Sequence, residues 1–355
     1  MVNRFDEMQS LLDRSKYFKL VCGAGNEDAE QVKRLTILYT LGGAKGMDVS
    51  ANVNVVKACM EGIDFAFENS GKFGVKLKTR PFITVSVGMS GDHHARKAQI
   101  NPEICVKCKQ CIGVCPTSAI AEENALVKVN RPKCIGCGNC GAICPVKDAI
   151  SFHHNVKELE KILPECMNAG AEHIELHAAV ADDKSIMDEW KTVNEVNSKN
   201  HVSMCLDRLH LSDFALEERV RKAKEISGNR LIIQADGYPM SGGNDDYNTT
   251  LQAVAIADII NKRFNKKLNR QTRTMEYLTK NEVDLLLSGG TNSLTGKLAR
   301  QNGVRFQGVS IGTFGRKLVK DIIKEPNFYE NEELIKKGYL IAKKLVEENI
   351  GEVNE

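Results

Sequence analysis

Residues 105–145 carry one pattern twice, as Cys105-Val-Lys-Cys108-Lys-Gln-Cys111-Ile-Gly-Val-Cys115-Pro116 and Cys134-Ile-Gly-Cys137-Gly-Asn-Cys140-Gly-Ala-Ile-Cys144-Pro145. Both runs are C-x2-C-x2-C-x3-C-P without departure, the spacing that holds [4Fe–4S] clusters. Two-residue gaps fold the chain so tightly that three thiolates converge on one cluster. The fourth cysteine follows a short helical turn and points at the other cluster, and the proline ends the run. One cluster is therefore expected on Cys105, Cys108, Cys111 and Cys144, and a second on Cys134, Cys137, Cys140 and Cys115. A pair of zinc knuckles is the alternative, but zinc sites rarely show this duplicated run. The chain has 12 cysteines, and the eight in these runs fall within 40 residues. The start, MVNRFDEMQS, has no apolar segment of a secretory signal. Such dense cysteines then read as metal ligands in a reducing, cytoplasmic setting rather than as disulfides.

On either side of this block, short β-type runs alternate with helical stretches. Strands are expected at 18–24, 46–51, 81–88, 172–178, 201–206, 229–235, 283–288 and 306–312. Helices are expected at 27–42, 53–69, 155–169, 184–198, 212–227, 247–264, 293–302 and 330–349. Eight strands each followed by a helix match a (β/α)8 barrel of the TIM type better than an open doubly wound sheet, which usually has fewer strands. The cysteine block falls between the third strand and its helix. The expected organisation is thus an α/β barrel from 1–90 and 153–355, interrupted in its third βα loop by a ferredoxin-like two-cluster insert at 91–152. Within the insert, Ile120 to Arg131 reads as a short hairpin.

In a barrel of this kind the site lies at the C-terminal ends of the strands, so the insert would set its clusters beside that site. Polar residues gather at those ends: Asp48, Ser50 and Asn52; Ser90, Asp92, His93 and His94; Glu175 and His177; Asp207 and Arg208; Gln234 and Asp236. A lone histidine is more often structural than catalytic, but recurrence at consecutive strand ends points to a ligand site. His177, His93 and His94 are the candidate proton donors, with Asp207 and Arg208 beside them. Strand seven ends Ser288-Gly289-Gly290-Thr291, and strand eight ends Gly312-Thr313-Phe314-Gly315-Arg316. Loops seven and eight with a helix N-terminus form the usual phosphate site of such barrels. Tight βα turns also need glycine, so the same residues admit a purely structural reading. A phosphate-bearing ligand is the expectation here. FMN is one candidate, weakened because no lysine reads as placed at a strand end to polarise a flavin. The remaining cysteines Cys59 and Cys166 read as buried helix residues, and Cys22 and Cys205 as strand residues of the core.

The balance of charge excludes more than it names. Net charge is +3, with 42% hydrophobic and 27% charged residues, which argues against nucleic acid as the main partner. No apolar run is long enough to span a bilayer. Residues 96–152 hold eight Lys/Arg against four Asp/Glu, close to offsetting the charge of about −4 that two oxidised clusters with their thiolates would bring. Lys107 and Lys109 could still serve a docking electron carrier.

The two cysteine runs resemble those of bacterial two-cluster ferredoxins. Together with KLVCGAGNEDAEQV, DVSANVNVV, HIELHAAV, QADGYPMSGG and LLSGGTNSLTGKLA, they resemble the light-dependent period family over nearly the whole chain. Those are iron–sulfur proteins linked in cyanobacteria to redox input to the circadian clock. The resemblance implies two clusters and a redox-sensing or electron-transfer role; no residue here shows light or clock input. Three functions are weighed. The first is an oxidoreductase that passes electrons between two [4Fe–4S] clusters, fed by a ferredoxin- or flavodoxin-type protein, and a small-molecule ligand at the barrel mouth. The second is a non-enzymatic sensor or carrier that signals cluster state to a partner protein. The third is a structural cluster module on a ligand-binding barrel.

Overall fold

A computed structural model describes residues 3–92, 95–154, 157–238, 245–288 and 293–352. The chain opens with helix α1 (Arg4–Asp13), whose first turn is capped by the Asn3 side chain accepting from the amides of Phe5 and Asp6. Then come β1 (Tyr17–Val21), α2 (Ala29–Leu41), β2 (Gly46–Ser50), α3 (Val53–Asn69) and β3 (Phe82–Gly88). A cysteine-bearing excursion follows: β4 (Arg96–Ile100), α4 (Gln110–Gly113), β5 (Ile120–Glu123), β6 (Leu126–Val129), α5 (Asn139–Ile143) and β7 (Ile150–His154). The alternation resumes with α6 (Leu159–Asn168), β8 (His173–His177), α7 (Asp183–Val196), β9 (Val202–Leu206), α8 (Asp213–Ser227), β10 (Leu231–Asp236) and α9 (Asp246–Ile260). A hairpin of β11 (Lys266–Asn269) and β12 (Thr274–Tyr277) precedes β13 (Asp284–Ser288), α10 (Thr295–Gln301), β14 (Gly308–Ile311), α11 (Thr313–Val319) and α12 (Glu332–Ile350).

Eight parallel strands close into a barrel in the order β1-β2-β3-β8-β9-β10-β13-β14, with β14 returning to β1. The expected (β/α)8 architecture is therefore present, and the excursion leaves it between β3 and α6. In this excursion β4 pairs antiparallel with β7, and β5 with β6. The β5–β6 turn takes Asn124 and Ala125 to φ of 51° and 59°, the left-handed pair a two-residue hairpin requires. This is the expected hairpin.

Each barrel strand is buried on both faces, and the two faces differ. Outward residues such as Phe18, Leu20, Met47, Val49, Ile83, Val85, Ile174 and Leu176 join the helices in one continuous apolar core. Inward residues are largely polar: Lys19, Asp48, Ser86, Glu175, His177, Ser203, Gln234 and Ser310 are all buried. The N-terminal floor is closed by Met8, Leu11 and Leu12 of α1 against Tyr17, Phe82, Ile232 and Leu286. Gly46 is required above this floor, because a Cβ there would stand 2.2 Å from the Tyr17 hydroxyl.

Two histidines are built into the floor. Phe5 stacks on His201 at 4.2 Å and Phe82 on His173 at 5.1 Å. Burial holds His173 well below its ordinary value, and burial with the charge of Arg230 brings His201 down to about 4. His201 is therefore neutral in the folded chain at pH 5 but protonated in the unfolded chain, and the downward shift of His173 acts in the same direction. The unfolded state binds more protons, so stability falls as pH drops from about 7 and levels off only below the folded values. His201 alone should remove up to about 3 kcal/mol over that window. Urea unfolding at pH 7 and pH 4.5 measures the loss, which His201→Gln should diminish. An unchanged midpoint between the two pH values would contradict it.

Candidate redox centre and barrel mouth

The two cysteine runs fold into near copies. Lys107 and Gly136 occupy the same position in the two runs and take φ of 57° and 71°; Lys109 and Gly138 take 61° and 90°. This left-handed backbone turns the loop around the thiols, and the first run adopts it with lysines where the second has glycine. Cys105, Cys108, Cys111 and Cys144 wall one pocket with Ile100, Val127 and Ile150. Burial raises the Cys111 thiol, and the nearby thiols of Cys105, Cys108 and Cys144 add to the effect. Burial likewise pushes Cys140 up to about 12, with Cys137, Cys134 and Cys115 adding to it. The eight thiols thus gather as two fours, each drawing its last member from the other run.

Backbone amides already face the sulfurs. Ala98 N–H donates to Cys134 Sγ at 3.3 Å and Ala119 N–H to Cys115 Sγ at 3.2 Å. Four converging thiols in each group, with an apolar wall around the first and amide donors onto two sulfurs of the second, fit iron–sulfur clusters. The module's own core is small. It comprises Ala98, Cys111, Ala119, Ile120, Val127, Cys134 and Cys140, with Ile100, Ile112, Val129, Ile150 and Phe152 packed half-buried against it.

The module is strapped over the C-terminal mouth of the barrel. Lys97 of β4 is buried and donates to Gly25 O in the β1–α2 loop. It also donates to Arg131 O and Cys134 O, each at 2.9 Å. Glu27 N–H donates to Pro132 O at 2.7 Å, and Lys157 bridges Glu27 at 3.1 Å and Ala51 O at 2.6 Å. Between strap and strands lies a small cavity lined by Gly25, Ser86, Val87, Gly88, Lys97 and Lys157.

Below that cavity runs a buried ionic network. Lys19 Nζ lies 2.6 Å from Glu175 Oε2 and 3.1 Å from Asp48 Oδ2. Glu175 also accepts from Ser203 at 2.7 Å and Gln234 at 2.9 Å, and Ser86 donates to Asp48 at 2.5 Å. Burial opposes the charge on Lys19, but the two carboxylates more than offset it, so the lysine stays protonated. Burial would raise Glu175, yet Lys19 and His177 hold it low, and Asp48 is shifted upward by burial. His177 Nε2 stands 3.4 Å from Glu175 Oε1. Burial would lower it, but the bond to Glu175 and the charges of Glu175, Asp92 and Asp48 raise it to about 9. At neutral pH the network sets two cations, Lys19 and His177, against Glu175 and Asp48, with the buried Asp92 close to His177 as well.

Of the residues expected in the site, His177 faces the barrel axis with Glu175 and Cys205, whose ligand atoms lie within 4.8 Å of one another. Asp207 is buried and its carboxylate accepts from Leu209 N–H at 2.9 Å, within its own loop. Arg208 pairs with Asp213 at 2.6 Å, at the start of α8. His93, His94, Gly289, Gly290 and Thr291 lie outside the described residues. Ser288 is buried in register with Asp236. Gly312 and Thr313 open α11. Gly315 serves packing: its carbonyl accepts from Tyr39 Oη at 2.9 Å, and a Cβ would stand 2.8 Å from that oxygen. Arg316 is buried, turned inward onto Cys22 O, with Nε lacking a partner among the described residues. Cys22, Cys59 and Cys166 are buried as expected; Cys205 is buried too, but against Gln234 and Asp236 rather than apolar neighbours.

Lys19 was not legible as a site residue. Between Phe18 and Leu20 it reads as an interruption of an apolar run. Yet in a strand covered by helices outside, a lone lysine can only point along the axis; that alternation was the available signal.

Similar proteins fall into two sets. A family model described as a 4Fe-4S dicluster domain matches residues 97–145, and one described as the light dependent period A C-terminal domain matches residues 166–348. The chain is 30% identical over 254 residues to light dependent period A of Synechococcus elongatus, covering 69% of this chain and 67% of that one. Among solved structures, the YdjI aldolase from Escherichia coli K12 aligns at 8% identity and a TM-score of 0.46, over 98% of this chain and 94% of that one. A dihydrodipicolinate synthase from Oceanobacillus iheyensis aligns at 8% identity and a TM-score of 0.40, over 94% and 80%. At those values neither says anything about chemistry. Among the described residues no helix is long and apolar enough to cross a membrane.

Proposed function

We infer, from the premise that this chain belongs to the light dependent period A family and carries a 4Fe-4S dicluster domain, that it is a redox protein exchanging electrons with a small ligand at the barrel mouth. Cys105, Cys108, Cys111 and Cys144 would hold one [4Fe–4S] cluster, and Cys115, Cys134, Cys137 and Cys140 the other, in an insert reaching from residue 91 to 152. Such clusters supply one-electron transfer at low potential. The observation that carries the reading is Lys97, which fastens Cys134 of the second run to Gly25 of the first barrel loop above the mouth cavity. A cluster there would face the mouth cavity and its two lysines, Lys97 and Lys157, instead of open solvent.

The barrel supplies the proton. His177 is protonated at neutral pH and lies beside Glu175, which fixes the ring and balances its charge. Losing that proton leaves Lys19 as the remaining cation beside Glu175 and Asp48, so the buried carboxylates would draw a proton back onto His177 after each transfer. Lys97 and Lys157 line that cavity and would favour an anionic ligand; FMN or another phosphate-bearing molecule is such a ligand. A ferredoxin- or flavodoxin-type carrier would meet the outer run, where Cys108 and Val106 are exposed.

The test is the visible spectrum of anaerobically purified protein with turnover by a chemical reductant. Flavin bands beside the broad iron–sulfur absorbance would identify the ligand class. His177→Gln should lower reductive turnover at least tenfold with iron content unchanged, and should abolish an alkaline limb near pH 9, above which the wild-type donor is deprotonated. Unchanged turnover and pH profile would contradict the proton-donor role.

A second reading, signalling of cluster state to a protein, is favoured by the apolar side chains Ile104, Val106, Val114 and Ile143 left exposed on the module. It expects no flavin and no effect of His177→Gln.

A further inference from the structure

The two cysteine groups sit in unlike electrostatic surroundings. Three cations press on the second run. Arg96 Nε donates to Gly136 O at 2.9 Å, and its guanidinium stands 2.9 Å from where a Cβ on Gly138 would be. Lys97, 2% exposed, donates to Cys134 O. Arg316, 4% exposed, meets Ile135 across Gly23, each within 4 Å of where a Cβ on Gly23 would be. Lys133 and Lys157 stand behind them. The anions facing this group are Glu27, 3.5 Å from Lys97 and 3.1 Å from Lys157, and Asp28, 3.4 Å from Lys133. Five cations over two carboxylates leave the second run in a net positive cradle, most of it shielded from water.

The outer run has no such cradle. Lys109 pairs with Glu122 at 2.6 Å, and Lys128 lies 3.8 Å from Glu123. Lys107 and Lys147 are matched in number by Glu103 and Asp148, and all of these side chains are exposed. Water and salt screen them.

Reduction adds negative charge to a cluster. Burial alone disfavours that charge, but close, desolvated cations favour it strongly, whereas exposed, paired lysines do little. We propose that Arg96, Lys97 and Arg316 raise the reduction potential of the inner cluster above that of the outer one, so that electrons entering at Cys108 come to rest beside the barrel mouth. This rests on the two-cluster reading above. Arg316 is then a positioning and tuning residue: its guanidinium is fixed on Cys22 O at the top of β1, which ties the tuning to the barrel itself.

The experiment is an anaerobic redox titration of the full chain followed by electron paramagnetic resonance, with iron counted on the same sample. Wild type should titrate in two separate steps. Arg316→Met should lower the higher step and leave the lower one in place, Arg316→Lys should restore most of the shift, and Lys107→Met should move neither. Because Lys97 holds three carbonyls, Arg316 is the safer variant, and Arg96→Met provides an independent second one. Two coincident steps in wild type, or higher steps unmoved in both Arg316→Met and Arg96→Met, would overturn the tuning while an iron count of two clusters leaves the two-cluster reading standing. An iron count below two clusters in wild type would overturn both.

Discussion

Replacing Lys19 by Met should destabilise the protein by about 3–5 kcal/mol, the usual result of stranding one side of a buried ion pair. For a chain of this size that is a fall in Tm of about 5 °C. The reason is that Lys19 faces two carboxylates, Glu175 at 2.6 Å and Asp48 at 3.1 Å, and none of the three reaches solvent. Without the ammonium, His177 is the remaining cation beside them, and Asp48 must take up a proton or stay charged in the barrel axis. The double variant Lys19→Met with Glu175→Gln should recover more than half of the loss. Glutamine removes the surplus charge while keeping partners for Ser203 and Gln234, which now bond to Glu175. Urea unfolding of the two singles and the double gives the coupling directly. Additive losses would show that Lys19 and Glu175 do not act as a unit. A network of this cost is not needed to fill a barrel, since layers of branched apolar residues do so in most such folds. Its place directly below the mouth cavity connects it to the proposed chemistry.

Removing the metal should have a larger, local effect. Three of the seven buried residues in the module's core are cysteines: Cys111, Cys134 and Cys140. Without clusters, the remaining Ala98, Ala119, Ile120 and Val127, with the half-buried Ile100, Ile112, Val129, Ile150 and Phe152, bury too little to repay the ordering of some fifty residues, which costs on the order of 1 kcal/mol each. The binding energy of the clusters is then folding energy for this segment. Hydrogen exchange should show amides of β4 to β7 protected in the loaded protein and near free exchange after chelation under reducing conditions. Barrel strands such as β8 and β9 should keep their protection, because their cover of helices does not depend on the module. Protection retained in β5 and β6 without metal would mean that the hairpin is held by the barrel straps alone.

The sequence was most legible where its residues are contiguous. The cysteine runs at 105–116 and 134–145 declare themselves because three thiols of each group fall within seven consecutive residues. The barrel followed from apolar runs of the right length, each within a few residues of the observed strand. Harder to read were features made by distant partners. Helix α1 carries its apolar residues Met8, Leu11 and Leu12 on one face only, and its purpose appears once Tyr17 and Phe82 close on it. The β11–β12 hairpin, KKLN paired with TMEY, gathers just Leu268, Met275 and Tyr277 on one face, too few apolar residues to announce it. Arg316 follows a glycine loop and reads as a phosphate ligand, yet it turns inward to Cys22 O, a residue 294 positions earlier. Arg208 likewise reads as a site residue and is turned to Asp213 on the next helix. For long cationic side chains, the chain position sets where they start and the fold decides where they end.

The most direct measurement of the redox account is the number of electrons the anaerobic protein accepts, counted with its iron and acid-labile sulfide. The expected result is about eight iron and eight sulfide per chain, as two [4Fe–4S] clusters require, with about two electrons taken up as the broad visible absorbance bleaches. A colourless protein that holds zinc, or iron that takes up no electrons at any accessible potential, would contradict it.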